Sequence, residues 1–244
     1  MANKNKKGLN TNSNSYTLIY SIVLVVLVAF ILAFVFQALK PMQDSNVALD
    51  KKKQILNSLN IRDLSDADAD AMYKKVVVAD KVYSKDGKEI AKGTAGGEND
   101  GFKLGNSDFK AGKLALFVCN VNGKTKYVIP VYGMGLWGPI SGYVSLNADK
   151  PTVYGAYFNH ESETAGLGAE IKDSRDWQNN FQNKRVLTKD GKSIALSVTK
   201  NASDTSCQVD AVTGATLTSD GVNNMLHECL GEYLKILVYH ESDN

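Results

Sequence analysis

The rhythm of hydrophobic and polar positions changes several times along this chain. From Leu18 to Phe36 the string LIYSIVLVVLVAFILAFVF has no charge and a single serine. At 1.5 Å per residue a run of this length spans roughly 28 Å, close to the ~30 Å hydrocarbon core of a bilayer. It is longer than the apolar core of a cleaved signal peptide, and no small-x-small cleavage site follows it. Residues 16–39 are therefore predicted to be a retained single-pass transmembrane helix, with 1–15 a polar, disordered tail.

Beyond the anchor, Asp44 to Asn60 reads as a helix with Val47, Leu56 and Leu59 apolar and Lys51 to Lys53 polar. A second helix is predicted to start at Ser65, a favourable N-cap. Asp66, Asp68 and Asp70 load its early turns with negative charge, and Lys74 and Lys75 close its end. Residues 40–110 are assigned to a helical stalk and lead-in region. The period then shortens. LALFVCNV and KYVIPVY flank Asn122-Gly123, a strong hairpin signal. Further strands are predicted at Gly142 to Leu146, Thr152 to Phe158 and Ser193 to Thr199, and a short helix at Asp173 to Phe181. A long helix over Thr218 to Val238 sets Val222, Leu226, Cys229, Tyr233 and Leu237 on one stripe. The predicted class is α+β, a twisted and mainly antiparallel sheet with packed helices over 111–244.

Composition narrows the function classes. A net charge of +2, with only three arginines, Arg62, Arg175 and Arg185, among 28 basic residues, leaves no basic and aromatic surface for nucleic acid. Cys119, Cys207 and Cys229 lie far apart, without the spacing of a zinc or iron–sulfur site. Cys119 on a strand and Cys229 on a helix stripe are predicted to be buried thiols, and Cys207 to be more exposed. His160, Glu161 and Glu163 hint at a metal, but they lie in a loop with no second histidine at helical spacing, so no metal site is assigned.

Three segments carry the candidate chemistry. Asp210-Ala211-Val212-Thr213-Gly214-Ala215-Thr216 places a threonine after Gly-Ala just ahead of a helix. The free N–H groups and positive dipole end of that helix suit an anion such as a phosphodiester. The plainer alternative is a threonine-rich turn that caps the helix. Tyr132-Gly133-Met134-Gly135-Leu136-Trp137-Gly138-Pro139 offers a glycine-rich backbone with Leu136 and Trp137 as apolar faces, or else a buried turn. His160 to Gly168 includes Glu163-Thr164-Ala165-Gly166-Leu167-Gly168. There the glycine N–H groups can meet ring carbonyls, and Leu167 can cover a ring.

In this order, behind one anchor, the strings IPVYGMGLWGPISGY, HESETAGLGAEI, DWQNNF and VDAVTGATLTSDGV resemble the NqrC family of flavin-bearing subunits in the bacterial sodium-pumping NADH:quinone oxidoreductases. Ala165 stands where the family more commonly has proline, and Thr213 where it often has serine. The resemblance implies FMN joined by a phosphodiester to Thr216, with Thr213, Gly214, Ala215, Leu136, Trp137, Thr164, Gly166 and Leu167 around the cofactor. It implies an electron-carrying subunit of the inner membrane that is not catalytic alone. Its N-terminus would be cytoplasmic and its flavin domain periplasmic; Lys4, Lys6 and Lys7 ahead of the helix give modest support. The implied partners are the other five subunits, the lipid bilayer and a flavin transferase during maturation. The RnfG family, from the Rnf ferredoxin:NAD oxidoreductases, shares the glycine loop and threonine motif and is the alternative. Gly135-Leu136-Trp137-Gly138 and the extended segment before residue 110 favour the sodium pump. A membrane-tethered binding module with an unmodified threonine is the other alternative.

Overall fold

The computed structural model describes residues 11–148 and 151–239, so most of the expected tail lies outside the described residues. Packing divides the chain at Ala48/Leu49 into two units. The first is most of α1 (Asn14–Ser58), whose start is capped by Ser13 Oγ accepting the Tyr16 N–H at 3.2 Å. Its apolar run reaches a mean hydropathy of 3.2 over an 18-residue window, and none of that window is buried. A core helix of such composition would bury its side chains. By length and composition this one is a candidate membrane span. It runs through Pro41 well past residue 39, so anchor and following helix are one element.

The second unit begins with the last turns of α1, which bury Ile55 and Leu56. The helix ends where Asn60 takes a positive φ of 60°. The Ile61 N–H then reaches Leu56 O at 3.0 Å and the Asn60 N–H reaches Asn57 O at 3.1 Å, a Schellman ending that satisfies otherwise orphaned carbonyls. Next comes α2 (Asp66–Val76), with Ser65 accepting the Asp68 N–H as its predicted cap.

Strands β1 (Val77–Ser84) and β2 (Glu89–Ala91) follow, then α3 (Asn106–Lys110), β3 (Lys113–Val121), β4 (Lys124–Met134), β5 (Pro139–Asn147) and β6 (Val153–His160). They form one antiparallel sheet of order β2-β1-β3-β4-β5-β6. The expected helical stalk over 40–110 is thus corrected: β1 lies inside the sheet and pairs with β3 along its length. Val76-Val77-Val78 is β-branched and switches the chain to strand directly after α2. The β3–β4 hairpin turns at Asn122 and Gly123, with φ of 52° and 78° as a type I′ turn demands. The free edge at β6 is covered rather than exposed. Asn60 Nδ2 donates to Tyr154 O at 2.9 Å, and an Arg62 guanidinium nitrogen donates to Ala156 O at 3.1 Å.

The rest of the chain packs on the sheet. The predicted helix at 173–181 is two short ones, α4 (Glu170–Asp173) and α5 (Arg175–Asn179), the second capped by Ser174. Trp177, Phe181 and Phe158 pack together with ring centroids 5.1–5.6 Å apart. The predicted strand at 193–199 shrinks to β7 (Ser197–Thr199), paired in parallel with β8 (Gln208–Asp210). Ile194 makes only an isolated bridge to Leu187. The last long helix is α6 (Thr216–Glu232), followed after Tyr233 by α7 (Leu234–Tyr239). Its stripe of Val222, Leu226, Cys229 and Tyr233 is buried as expected, and Tyr233 Oη donates to Ala115 O at 2.7 Å. Cys207 is buried, not exposed; its Sγ donates to Asp204 Oδ2 at 3.4 Å within a local turn that folds over it.

Candidate functional site

The β4–β5 connection is a tight turn. Met134 pairs with Pro139, and the Gly135 N–H donates to Gly138 O at 2.8 Å. Only Leu136 and Trp137 are left at the tip, and they are 47% and 66% exposed. An exposed tryptophan on a hairpin tip contributes little to the core and much to whatever docks there. Glycine is required around it. A Cβ on Gly138 would stand 2.3 Å from Ser162 Oγ, so the turn lies directly against the loop that follows β6.

That loop folds on Thr164, whose carbonyl accepts the Leu167 N–H at 3.1 Å and the Ala169 N–H at 3.0 Å. Gly166 sits at its apex with φ of 72° and open space beside its Cα. Thr164, Gly166 and Leu167 are exposed. Gly168 differs from the expectation that it offers its N–H outward: it is buried, and a Cβ there would meet Glu163 Oε2 at 2.4 Å and Thr218 Oγ1 at 2.6 Å.

The threonine segment arrives from β8. Trp177 Nε1 donates to Asp210 O at 2.8 Å, and Asp210 Oδ1 accepts the Ala202 N–H at 2.7 Å. The Ser219 hydroxyl accepts the Val212 N–H at 3.0 Å, which ties the lead-in to the helix. Gly214 turns the chain with φ of 77°, and its Cβ position lies 3.0 Å from Leu167 Cδ2, so this loop meets the preceding one. Thr213 and Gly214 are exposed, while Ala215 is buried in the core and can offer a cofactor only its backbone. Thr216 is the first residue of α6, exposed, on a helix end that no side chain caps. The plain capping alternative is therefore not what these threonines do: neither hydroxyl caps α6.

The three segments, far apart in sequence, thus meet at one end of the sheet. Two features join them in roles that the sequence does not suggest. Glu163 is 8% exposed; its Oε1 accepts the Trp137 N–H at 2.8 Å and its Oε2 accepts the Thr218 hydroxyl at 2.6 Å. Gly221 lets α6 close on β4, since a Cβ there would fall 2.3 Å from Met134 O. Leu217 and Met134, 61% and 64% exposed, add to the apolar surface. Leu217 had a sequence signal, an apolar residue off the buried stripe of its own helix. Glu163 stands out in the sequence only beside His160 and Glu161 as a possible metal ligand, which gives no sign of its bridging contacts.

Other candidate chemistry is quiet. Among the described residues no group of His, Cys, Asp and Glu can hold a metal. His160 Nδ1 accepts the Glu163 N–H at 3.2 Å within its own turn. Burial pushes the Cys119 thiol up to about 12 and the Cys229 thiol up to about 11, so both are held as inert thiols.

An FMN-binding domain family matches residues 135–231, a span that opens at the Trp137 turn, contains the Thr164 loop and closes within α6. Fold and site together define the class: a protein with an FMN-binding domain behind a candidate membrane helix. The chain is 32% identical over 231 residues to the NqrC subunit of the Na(+)-translocating NADH-quinone reductase of Haemophilus ducreyi, covering 88% of this chain and 89% of that one. The NqrC subunit from Neisseria meningitidis serogroup A is 32% identical, with 93% of each chain covered. The crystal structure of the NqrC subunit from Parabacteroides distasonis superposes with a TM-score of 0.75 at 34% identity, over 84% of this chain and 98% of that one. This chain belongs to the NqrC family of Na(+)-translocating NADH-quinone reductase subunits.

Proposed function

We propose that this protein carries FMN as a phosphodiester on Thr216 and relays electrons within a sodium-pumping NADH:quinone oxidoreductase. The observation that carries the reading is the position of Thr216: an exposed hydroxyl on the first residue of an uncapped helix, beside a surface to which Trp137, Leu136 and Leu167 are offered outward. Those traits fit both ends of FMN. The first-turn N–H groups and the dipole of α6 favour a phosphodiester anion. Trp137, Leu136 and Leu167 supply apolar faces for a flat ring, and the open backbone at Gly166 together with Thr164 supplies polar contacts to its edge.

When bound, FMN supplies one- and two-electron chemistry that no side chain here has. The protein's part is to hold and tune. The ester oxygen comes from Thr216, Thr213 positions the phosphate, and Gly214 with the Ala215 backbone keeps the approach uncrowded for a flavin transferase. A tether at Thr216 prevents loss of the carrier between turnovers, which suits a fixed relay. The partners are the other five subunits, and the apolar helix holds the protein in the inner membrane with its flavin domain on the periplasmic side, so that electrons cross the bilayer and return as Na+ is exported.

The test is the intact mass of the full-length protein from its native host and the ultraviolet fluorescence of the denatured band. The reading requires one FMN per chain that survives denaturation, on the peptide containing Thr216. An unmodified mass with a dark band contradicts it and favours a tethered binding module.

A further inference from the structure

The end of the sheet that presents Trp137, Leu167 and Thr216 is built around one buried carboxylate. Burying an ionisable side chain is costly unless its oxygens are hydrogen-bonded. Glu163 spends both of its oxygens on neighbouring segments rather than on its own loop. Oε1 holds the Trp137 N–H at 2.8 Å, across a separation of 26 residues, and Oε2 holds the Thr218 hydroxyl at 2.6 Å, across 55. Its own N–H is turned back onto His160 Nδ1 at 3.2 Å, which fixes where the side chain leaves the loop. No Lys, Arg or His forms an ion pair with it among the described residues.

Space for the carboxylate has been cleared from two sides. A Cβ on Gly135 would come within 2.4 Å of Oε1, and one on Gly168 within 2.4 Å of Oε2. Thr218 stands two residues beyond Thr216 in the first turn of α6, and Leu167 follows Glu163 by four in the same loop. One side chain therefore links the tip bearing Trp137, the loop bearing Leu167 and the turn bearing Thr216.

We infer that Glu163 is a positioning residue for the flavin site: it fastens the Trp137 turn to the first turn of α6, so that ring-contacting and phosphate-bearing residues keep one geometry. It touches no cofactor itself. The inference rests on the reading of Thr216 as the attachment residue, but its effect on the protein does not need flavin. Trp137 amide protection in the unflavinylated protein belongs to the clamp alone, and spectrum and potential in the flavinylated protein belong to both.

The experiment uses the full-length chain in detergent, made with and without flavin transferase, as wild type, Glu163→Ala, Glu163→Gln and Thr218→Val. Gln can still accept the Trp137 N–H through its Oε1 and donate to Thr218 through Nε2, so it keeps the clamp without the charge. Without flavin, Glu163→Ala should speed hydrogen exchange at the Trp137 amide roughly ten- to a hundredfold, the range expected for losing a hydrogen bond to a charged acceptor. Thr218→Val should act in the same direction but less, and Glu163→Gln, whose neutral amide keeps a weaker bond, should fall closer to wild type than to Glu163→Ala. With flavin, Glu163→Ala should move the flavin absorption band and reduction potential, and Glu163→Gln should leave the band in place. Thr218→Val decides the matter if Glu163→Ala does not fold. Unchanged Trp137 exchange in Glu163→Ala, or in Thr218→Val where the first is unfolded, overturns the inference. So does Glu163→Gln matching Glu163→Ala, which would make charge rather than the clamp the cause. A wild type that accepts no flavin while the Trp137 exchange results hold overturns the attachment reading and leaves the clamp standing.

Discussion

Two glycine-rich loops of this protein are each organised by a buried carboxylate, and they put their aromatic side chains to opposite uses. In the connection between β2 and α3, the N–H groups of Thr94, Asp100 and Phe102 donate at 2.9–3.2 Å to Asp80, which lies on β1 and is fully buried. Around it Lys52 pairs with Asp70 and Glu98 at 2.5 and 2.7 Å, and Tyr73 Oη donates to Gly97 O at 2.9 Å. The aromatic of that loop, Phe102, points inward and is 7% exposed. At the other loop cluster Glu163 does the same ordering work, yet Trp137 points outward at 66% exposed. A loop that serves only to fold spends its aromatic on the core. A loop that is equally well fastened and still holds a tryptophan in solvent is ordered for something that arrives later.

That contrast can be broken most sharply at Asp80. Replacing it by Ala takes the acceptor from three backbone N–H groups, that of Phe102 in a buried contact and those of Thr94 and Asp100 part-buried, and a cost of about 3–5 kcal/mol follows. Urea denaturation should show this loss, while any folded fraction keeps its flavin, because the disturbance lies in the other loop. The same region should respond to acid. Hydrogen bonds from Lys52 and then Lys74 hold the Asp70 carboxyl below its usual value of 3.8. A depressed carboxylate contributes stability that is full above 3.8 and is lost as pH falls through its lower folded value. Thermal melts should therefore drop as pH is lowered below 3.8, and Asp70→Asn should remove part of that drop. A pH dependence unchanged in Asp70→Asn would mean that the pairing of Asp70 with Lys52 and Lys74 does not stabilise this region.

Two glycines of α6 sharpen the comparison at smaller scale. Gly221→Ala should destabilise by about 1–3 kcal/mol despite the gain in helix propensity, since its Cβ collides with a backbone oxygen on β4. Gly231→Ala meets nothing within 4 Å and should stabilise by roughly 0.5–1 kcal/mol. Thermal melts of the two variants should thus shift in opposite directions. Smallest of all in stability is Trp137→Ala, expected within about 0.5 kcal/mol of wild type because the ring is mostly in solvent. Its flavin absorption should nevertheless change while attachment persists. A large loss of stability with an unchanged spectrum would make Trp137 a core residue and erase the contrast between the loops.

Much of this was legible in the chain because local rules carried it. Asn122-Gly123 specifies its own turn, Ser65 its own cap, and the stripe from Val222 to Tyr233 its own buried face. The three candidate segments were legible as strings, and the fold brings them to one place. What stayed hidden depended on contacts between distant residues. Val77 to Ser84 is a short strand whose place is set by pairing with β3, so a reading of local periods left it in a stalk. Cys207 is buried by a turn closed through Asp204 and Gln208, polar residues that read as a surface. Glu163 acts across 26 and 55 residues, and no spacing rule connects an acid to partners so far away.

The measurement that bears most directly on the account compares Thr216→Ala with Thr213→Ala in the full-length protein matured with its flavin transferase. Both threonines are exposed, they bracket Gly214-Ala215, and neither opens a core cavity when shortened. Peptide mass mapping and denatured-band fluorescence should show complete loss of covalent FMN in Thr216→Ala, with circular dichroism unchanged, and retention of most of it in Thr213→Ala. Covalent flavin persisting in Thr216→Ala would contradict the central claim, whatever else the fold supports.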